Sequence, residues 1–186
     1  MTRIVIAAHS GYGHTRKVAD ALVAGAAGIV RDGATLLDVA TIDEAGWARL
    51  AAADAIVFGA PTYMGGASAQ FKAFADASAP IWLAQGWKDK IAGGFTCSLN
   101  MSGDKSVTLH YFVTLAMQHS MIWVGTGLLP PQTPGAPDEL NRLGSSVGVM
   151  AQAGNVSPEL EPPAGDLETA RVYGQRIATI TRRLRG

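Results

Sequence analysis

Unbroken apolar runs alternate along this chain with stretches whose apolar residues recur at helical spacing. Ile4–Ala8, Ala55–Ala60 and Met121–Val124 are wholly apolar, as strands buried on both faces must be. Ala34–Val39 reads as a further strand, and Ile91–Cys97 as one weakened by glycine. Pro61 is expected to end the strand before it. Val18, Ala19, Leu22, Val23 and Ala26 form one face of a helix running from Thr15 to about Ala27. Helices are likewise expected over Glu44–Ala53 and Lys105–His119, and from Asp166 through Tyr173, Ile177 and Ile180 to about Leu184. Ser68 is placed to cap another, with Phe71, Phe74 and Ala75 on its inner face. Gly125–Gly165 shows little periodicity.

This alternation predicts the α/β class: a doubly wound, five-stranded parallel sheet covered by helices on both faces, in the flavodoxin-like strand order 2-1-3-4-5. One domain spanning residues 1–186 accounts for the length, and no internal repeat is visible.

Composition narrows the function classes. The formal net charge is zero, with 15 acidic and 15 basic residues, so a nucleic-acid-binding face is not expected. Arg182, Arg183 and Arg185 cluster where the last helix ends and its dipole favours cations. A single cysteine, Cys97, excludes an internal disulfide and a multi-thiolate metal site, and no metal is expected. The chain enters a strand without a signal-peptide pattern. No charged residue stands between Ser106 and Pro137, yet His110, Thr114, Gln118, His119 and Ser120 interrupt the apolar sequence. Gly125-Thr-Gly127 and Pro130-Pro131 then break it, so a buried helix and strand are expected rather than a membrane span. The expected location is cytoplasmic.

Candidate chemistry concentrates in the turn after the first strand, His9-Ser10-Gly11-Tyr12-Gly13-His14-Thr15. A small-residue loop opening a helix gathers free amides and the positive end of the dipole, which makes an anion site. Arg16 stands where the dinucleotide fingerprint wants a third glycine, and the Gly-Lys-Ser/Thr of a nucleotide-triphosphate loop is missing. Amides and hydroxyls without that lysine suit one terminal phosphate, as in FMN; the same residues would also serve a plain strand-to-helix connection. In a doubly wound sheet ligands sit beyond the carboxyl ends of the strands, so three loops should meet there. They are Ser10–Thr15, Pro61–Gly66 and Ser98–Gly103. The candidate cofactor-binding residues are Ser10, Gly11, Tyr12, Gly13, His14 and Thr15, then Pro61, Thr62, Tyr63, Met64 and Gly65, then Ser98, Leu99, Asn100, Met101 and Ser102. His14 either helps neutralise phosphate or is an exposed first-turn histidine. His9 and His110 read as structural, Cys97 as a small buried hydrophobe, and Trp47, Trp87 and Trp123 as packing residues.

From Ile4 to about Val124 the sequence resembles the flavodoxin superfamily, and within it the WrbA-like NAD(P)H:quinone oxidoreductases. Ser10-Gly-Tyr-Gly-His-Thr15 resembles that family's phosphate loop, and Phe58-Gly-Ala-Pro-Thr62, Gly65 and Gln70-Phe-Lys-Ala-Phe74 its isoalloxazine loop and the helix behind it. The resemblance implies FMN as cofactor, NAD(P)H as donor, and two-electron transfer to a quinone or similar acceptor. It also implies a homodimer or homotetramer. It places His119 near the flavin, either as a hydrogen-bond partner or as a histidine favoured at a helix end, and Trp82 at the active-site mouth. Tyr63 and Met64 replace the family's arginine and phenylalanine, and Ser98-Leu-Asn-Met-Ser102 replaces its glycine-rich loop. A flavodoxin-type single-electron carrier and a non-catalytic flavin-binding protein are the alternatives. Such carriers are usually strongly acidic, so the balanced charge favours the enzyme.

Overall fold

The computed structural model describes residues 1–31, 33–131 and 138–185. Strands β1 (Ile4–Ala8), β2 (Ala34–Asp38), β3 (Ala55–Tyr63) and β5 (Ile91–Ser98) alternate with helices α1 (His14–Val30), α2 (Glu44–Ala52), α3 (Ala69–Ala77) and α5 (Lys105–Gln118). A two-residue β4 (Gly66–Ala67) follows β3, and a short α4 (Ala79–Leu83) follows α3. The chain ends with β6 (Ile122–Trp123), β7 (Val149–Gln152) and α6 (Ala164–Arg185). The α/β class and the parallel sheet are as expected; the strand count is not.

Among the described residues seven strands are present rather than five, in the order β2-β1-β3-β5-β6 with β4 and β7 off this path. The difference arises at two places. First, the edge beside β5 is split. β6 pairs with its start, Ile91 opposite Ile122, and β7 with its end, Phe95 opposite Val149 through Ser98 opposite Gln152. The expected fifth strand, Met121–Val124, is therefore only half of that edge. The other half lies inside Gly125–Gly165, where little periodicity is visible; residues 132–137 of that segment lie outside the described residues. Second, β4 folds back antiparallel on β3, pairing Thr62 with Ala67. Met64 (φ 47°) and Gly65 (φ 81°) form the turn, the pattern of a type I′ hairpin.

Pro61 does not end its strand. β3 continues to Tyr63 and pairs Pro61 with Cys97, but β1 stops at Ala8, opposite Gly59. Beyond that point β3 is an edge on one side, where proline is tolerated. Ser68 does precede α3, but its hydroxyl makes no cap bond and instead pairs with His9 Nδ1 at 2.8 Å.

The sheet carries a core on each face. On one, α1 and α6 cover Ile4, Ile6, Val57 and Phe95, with Leu22 and Tyr173 fully buried. Full burial of a side chain such as Leu22 stabilises by about 2 kcal/mol. On the other, Phe58, Phe71, Phe74, Trp87 and Phe112 form an aromatic cluster between the sheet and α2, α3 and α5. The glycines that weaken β5 have a packing reason: a Cβ on Gly93 would lie 2.4 Å from the Tyr173 hydroxyl, which accepts a hydrogen bond from Gly94 N. No helix among the described residues is long and apolar enough to cross a membrane.

Candidate functional site

At the carboxyl edge of the sheet an open cleft of about 530 Å³ is lined by Tyr12, His14, Thr15, Pro61, Thr62, Tyr63, Cys97, Ser98, Leu99 and the segment Ala153–Val156. The three expected loops do converge, and a fourth, following β7, joins them. This fourth wall was missed. Its only local signals are the short run Val149–Ala151 and the turn-forming Gly154-Asn155.

The first loop is held open from within. Ser10 Oγ accepts from Gly13 N (3.2 Å) and Arg16 N (3.1 Å), capping α1 from three residues upstream of Gly13. Gly13 takes φ 95°, and a Cβ there would meet Pro158 at 2.9 Å. The amides of Tyr12, His14 and Thr15 have no acceptor among the described residues. His14 Nε2 donates to the Val156 carbonyl at 2.9 Å, and Lys17 pairs with Glu159 at 2.8 Å, so the segment after β7 is strapped across this loop. Gly11 lies under Tyr63: a Cβ there would come within 2.3 Å of the Tyr63 hydroxyl.

In the second loop, Thr62 Oγ1 lies 2.8 Å from both Thr96 Oγ1 and Thr108 Oγ1, and Thr96 in turn donates to the Ala60 carbonyl. This buried hydroxyl chain fixes the end of β3, leaving backbone and ring to face the cleft. Tyr63 and Tyr12 meet edge to face at 6.2 Å, two aromatic walls side by side. Burial first, then Tyr12 and Cys97, raises the Tyr63 hydroxyl above its ordinary range. Met64, at the hairpin tip, is fully exposed. In the third loop Ser98 and Leu99 line the cleft, whereas Asn100, Met101 and Ser102 are exposed at its rim. Cys97 is buried as expected, and burial pushes its thiol up to about 12, which keeps it protonated.

His119 and Trp82 are not part of this cleft. α5 opens beside the third loop and descends about 20 Å to the amino edge of the sheet, where His119 caps it. There His119 is buried, packs on Trp87 with ring centroids 4.3 Å apart, and lies 2.9 Å from Ser78 Oγ. Ser78 gives its proton to the Ala75 carbonyl, so His119 Nε2 is the donor of this pair and Nδ1 keeps the lone pair, without a partner among the described residues. Trp82, one turn beyond Ser78 on α4, is half exposed at the same edge. Contact between either residue and a ligand in the cleft of the same chain is therefore corrected by the topology: a helix that starts at the carboxyl edge ends at the opposite one.

Burial holds the His119 pKa below its ordinary value. On acidification the unfolded chain takes up this proton first, so stability is complete above about pH 6.5 and is lost as pH falls toward the lowered folded value. Denaturant midpoints measured between pH 7.5 and 5.5 are expected to fall more steeply for the wild type than for His119→Gln. Parallel profiles would show that His119 is not the titrating group.

Residues 38–130 match the family of NADPH-dependent FMN reductases. The chain is 43% identical over 188 residues to the protein named flavodoxin FldP of Pseudomonas aeruginosa, with 99% of each chain covered. It is 31% identical over 205 residues to an NAD(P)H dehydrogenase (quinone) of Trichlorobacter lovleyi, again with 99% of each covered. Its structure superposes on the crystal structure of a flavodoxin, WrbA-like protein from Agrobacterium tumefaciens with a TM-score of 0.78, at 44% identity and over 98% of this chain and 99% of that one. With the parallel sheet, the strapped anion loop and the aromatic cleft, these likenesses have one meaning: the chain belongs to the NADPH-dependent FMN reductase family, as a WrbA-like flavoprotein of the flavodoxin fold.

Proposed function

We propose that this protein is an FMN-dependent oxidoreductase that takes two electrons from NAD(P)H and passes them to quinones or similar small acceptors. The observation that carries the reading is the cleft itself, in which helix N-terminal amides with no acceptor among the described residues lie beside a pair of tyrosine rings. The residues present fit FMN. Tyr12, His14 and Thr15 offer amides to a phosphate, Ser10 holds their loop in shape, and Gly11 and Gly13 keep it free of side chains. Tyr12 and Tyr63 offer flat apolar faces to a ring system, and the Ser98–Ser102 backbone offers polar contacts to its edge. Bound there, FMN supplies hydride acceptance and two-electron release, while the protein supplies binding, orientation and electrostatics.

A second reading has its own support, because one relative is named a flavodoxin, and flavodoxin-type carriers move single electrons between proteins. The balanced charge of this chain speaks for the enzyme, since such carriers are usually strongly acidic.

The amino edge of the sheet adds an assembly. Trp82, Leu83, Met117 and Ile122 are all exposed there, an apolar surface of the kind that marks an interface. In a homodimer or homotetramer this edge would wall the cleft of a neighbouring copy, with Trp82 facing the quinone and His119 holding Ser78, from which α4 departs. Steady-state kinetics with NADH or NADPH and a benzoquinone test both parts. Parallel double-reciprocal lines are expected, because donor and acceptor use one site in turn. Intersecting lines, or reduction in two separate one-electron steps, would turn the reading to the carrier. Trp82→Ala should raise the quinone KM by about 5-fold, the equivalent of about 1 kcal/mol, with FMN affinity unchanged. A fully active monomer in light scattering would remove the shared wall.

A further inference from the structure

Behind the Ser98–Gly103 loop lies a buried polar cluster that the proposed reaction does not itself employ. Arg142, in the segment that leads to β7, grips Asp166 in the first turn of α6 with two guanidinium N–H groups, at 2.8 and 2.9 Å. Both side chains are nearly inaccessible, at 10% and 2%. Asp166 also accepts from Gln152 N at 2.8 Å, and Arg142 Nη2 donates to Gln152 Oε1 at 3.2 Å. Gln152 then passes the connection on: its Nε2 donates to the Leu99 carbonyl at 3.2 Å. From the other side the fully buried Lys105 donates to the carbonyls of Asn100 and Met101.

Three successive carbonyls of the loop, those of Leu99, Asn100 and Met101, are thus drawn inward by side chains of one cluster. In a planar trans peptide the C=O of one residue and the N–H of the next point in opposite directions. The amides of Asn100, Met101 and Ser102 must therefore turn outward, toward the rim of the cleft, and none of them has an acceptor among the described residues. Arg142 and Lys105 against Asp166 leave this buried cluster one positive charge in excess, which adds to the attraction of the row for an electron-rich group.

We infer that Gln152 is a positioning residue: held by the Arg142–Asp166 pair, it acts with Lys105 to aim the Asn100–Ser102 amides at the oxygen-bearing edge of the flavin ring. The inference rests on the FMN reading above. It also gives a role to the chain between β6 and α6, which splits the sheet edge and delivers both Arg142 and Gln152 to the back of the loop.

Gln152→Leu cuts the link to Leu99 and leaves the Arg142–Asp166 pair intact. Gln152→Glu keeps volume and the Arg142 contact but has no N–H to offer Leu99, and it serves if the leucine variant fails to fold. Apoprotein of each variant is titrated with FMN and with riboflavin by flavin fluorescence, and the midpoint potential of bound FMN is measured. Affinity for both flavins is expected to fall by the same factor, about 5- to 10-fold for one lost positioning bond. The potential is expected to become more negative, because the amide row favours the more negatively charged reduced ring. Unchanged affinities and potential in a wild type that binds FMN would overturn the positioning role alone. A loss confined to FMN would overturn it too, by moving the effect to the phosphate. A wild type that binds neither flavin would overturn the FMN reading and this inference with it.

Discussion

FMN should bind at least about 100-fold more tightly than riboflavin, and Gly13→Val should erase most of that difference. The phosphate is what distinguishes the two ligands, and the loop after β1 is its proposed seat. Charge-assisted hydrogen bonds from free amides at the N-terminus of α1, together with the helix dipole, are worth about 3 kcal/mol in sum, which is about 100-fold in affinity. Gly13 is the residue that lets the chain turn there. Its φ of 95° lies in a region that β-branched residues avoid at a cost of about 1–2 kcal/mol, and its added Cβ would stand 2.9 Å from Pro158 Cγ. Valine would therefore either twist the amides out of convergence or push off the strap that His14 and Val156 tie down. The same strap crosses this loop, where an adenylate would have to extend from the phosphate, so FAD should bind more weakly than FMN. Calorimetry with FMN, FAD and riboflavin decides the matter. Equal wild-type affinity for riboflavin and FMN would sink the phosphate-loop assignment.

Gly25→Ala should destabilise the fold by about 3 kcal/mol, whereas Gly28→Ala, one turn later in the same helix, should stabilise it by about 0.5–1 kcal/mol. Helix propensity treats the two positions alike. Tertiary packing does not. A Cβ on Gly25 would fall 1.9 Å from the Arg171 carbonyl oxygen on α6, and reciprocally a Cβ on Gly174 would fall 2.2 Å from the Leu22 carbonyl oxygen on α1. The obstacle in both cases is backbone, which cannot rotate aside as a side chain can. The two helices would have to separate, loosening the core of Leu22, Ala26, Tyr173 and Ile177 beneath them. Around Gly28 nothing among the described residues lies within 4 Å, so the methyl group meets no obstacle in the folded state and removes freedom from the unfolded one. Urea unfolding of the two variants beside the wild type checks the pair. Destabilisation of similar size at both positions would show that helix contact is not the cause.

Sequence alone was enough for the α/β class, the parallel sheet and the three loops at its carboxyl edge. Each of these rests on local signals. A wholly apolar run such as Ala55–Ala60 must be buried on both faces, and a glycine-rich turn before Val18, Ala19 and Leu22 marks the start of a helix wherever the rest of the chain goes. The proposed seat for FMN was legible for the same reason, because an anion loop at a helix N-terminus is a feature of adjacent residues.

Tertiary structure decided what depends on residues far apart in the chain. β7 is four residues long and owes its existence to pairing with the far half of β5, so Val149–Gln152 carries no periodicity of its own. The strap over the loop after β1 joins His14 to Val156 and Lys17 to Glu159, residues 142 positions apart in the chain, and the Arg142–Asp166–Gln152 cluster gathers its members only once α6 has docked. His119 and Trp82 show the converse. Their residue types resemble a flavin site, but a helix that leaves the carboxyl edge delivers its far end to the amino edge, where Ser78 and Trp87 take up His119. Spacing along a chain tells which residues share a helix face; which end of the sheet they reach, and what they meet there, is set by the packing of elements that no local pattern encodes.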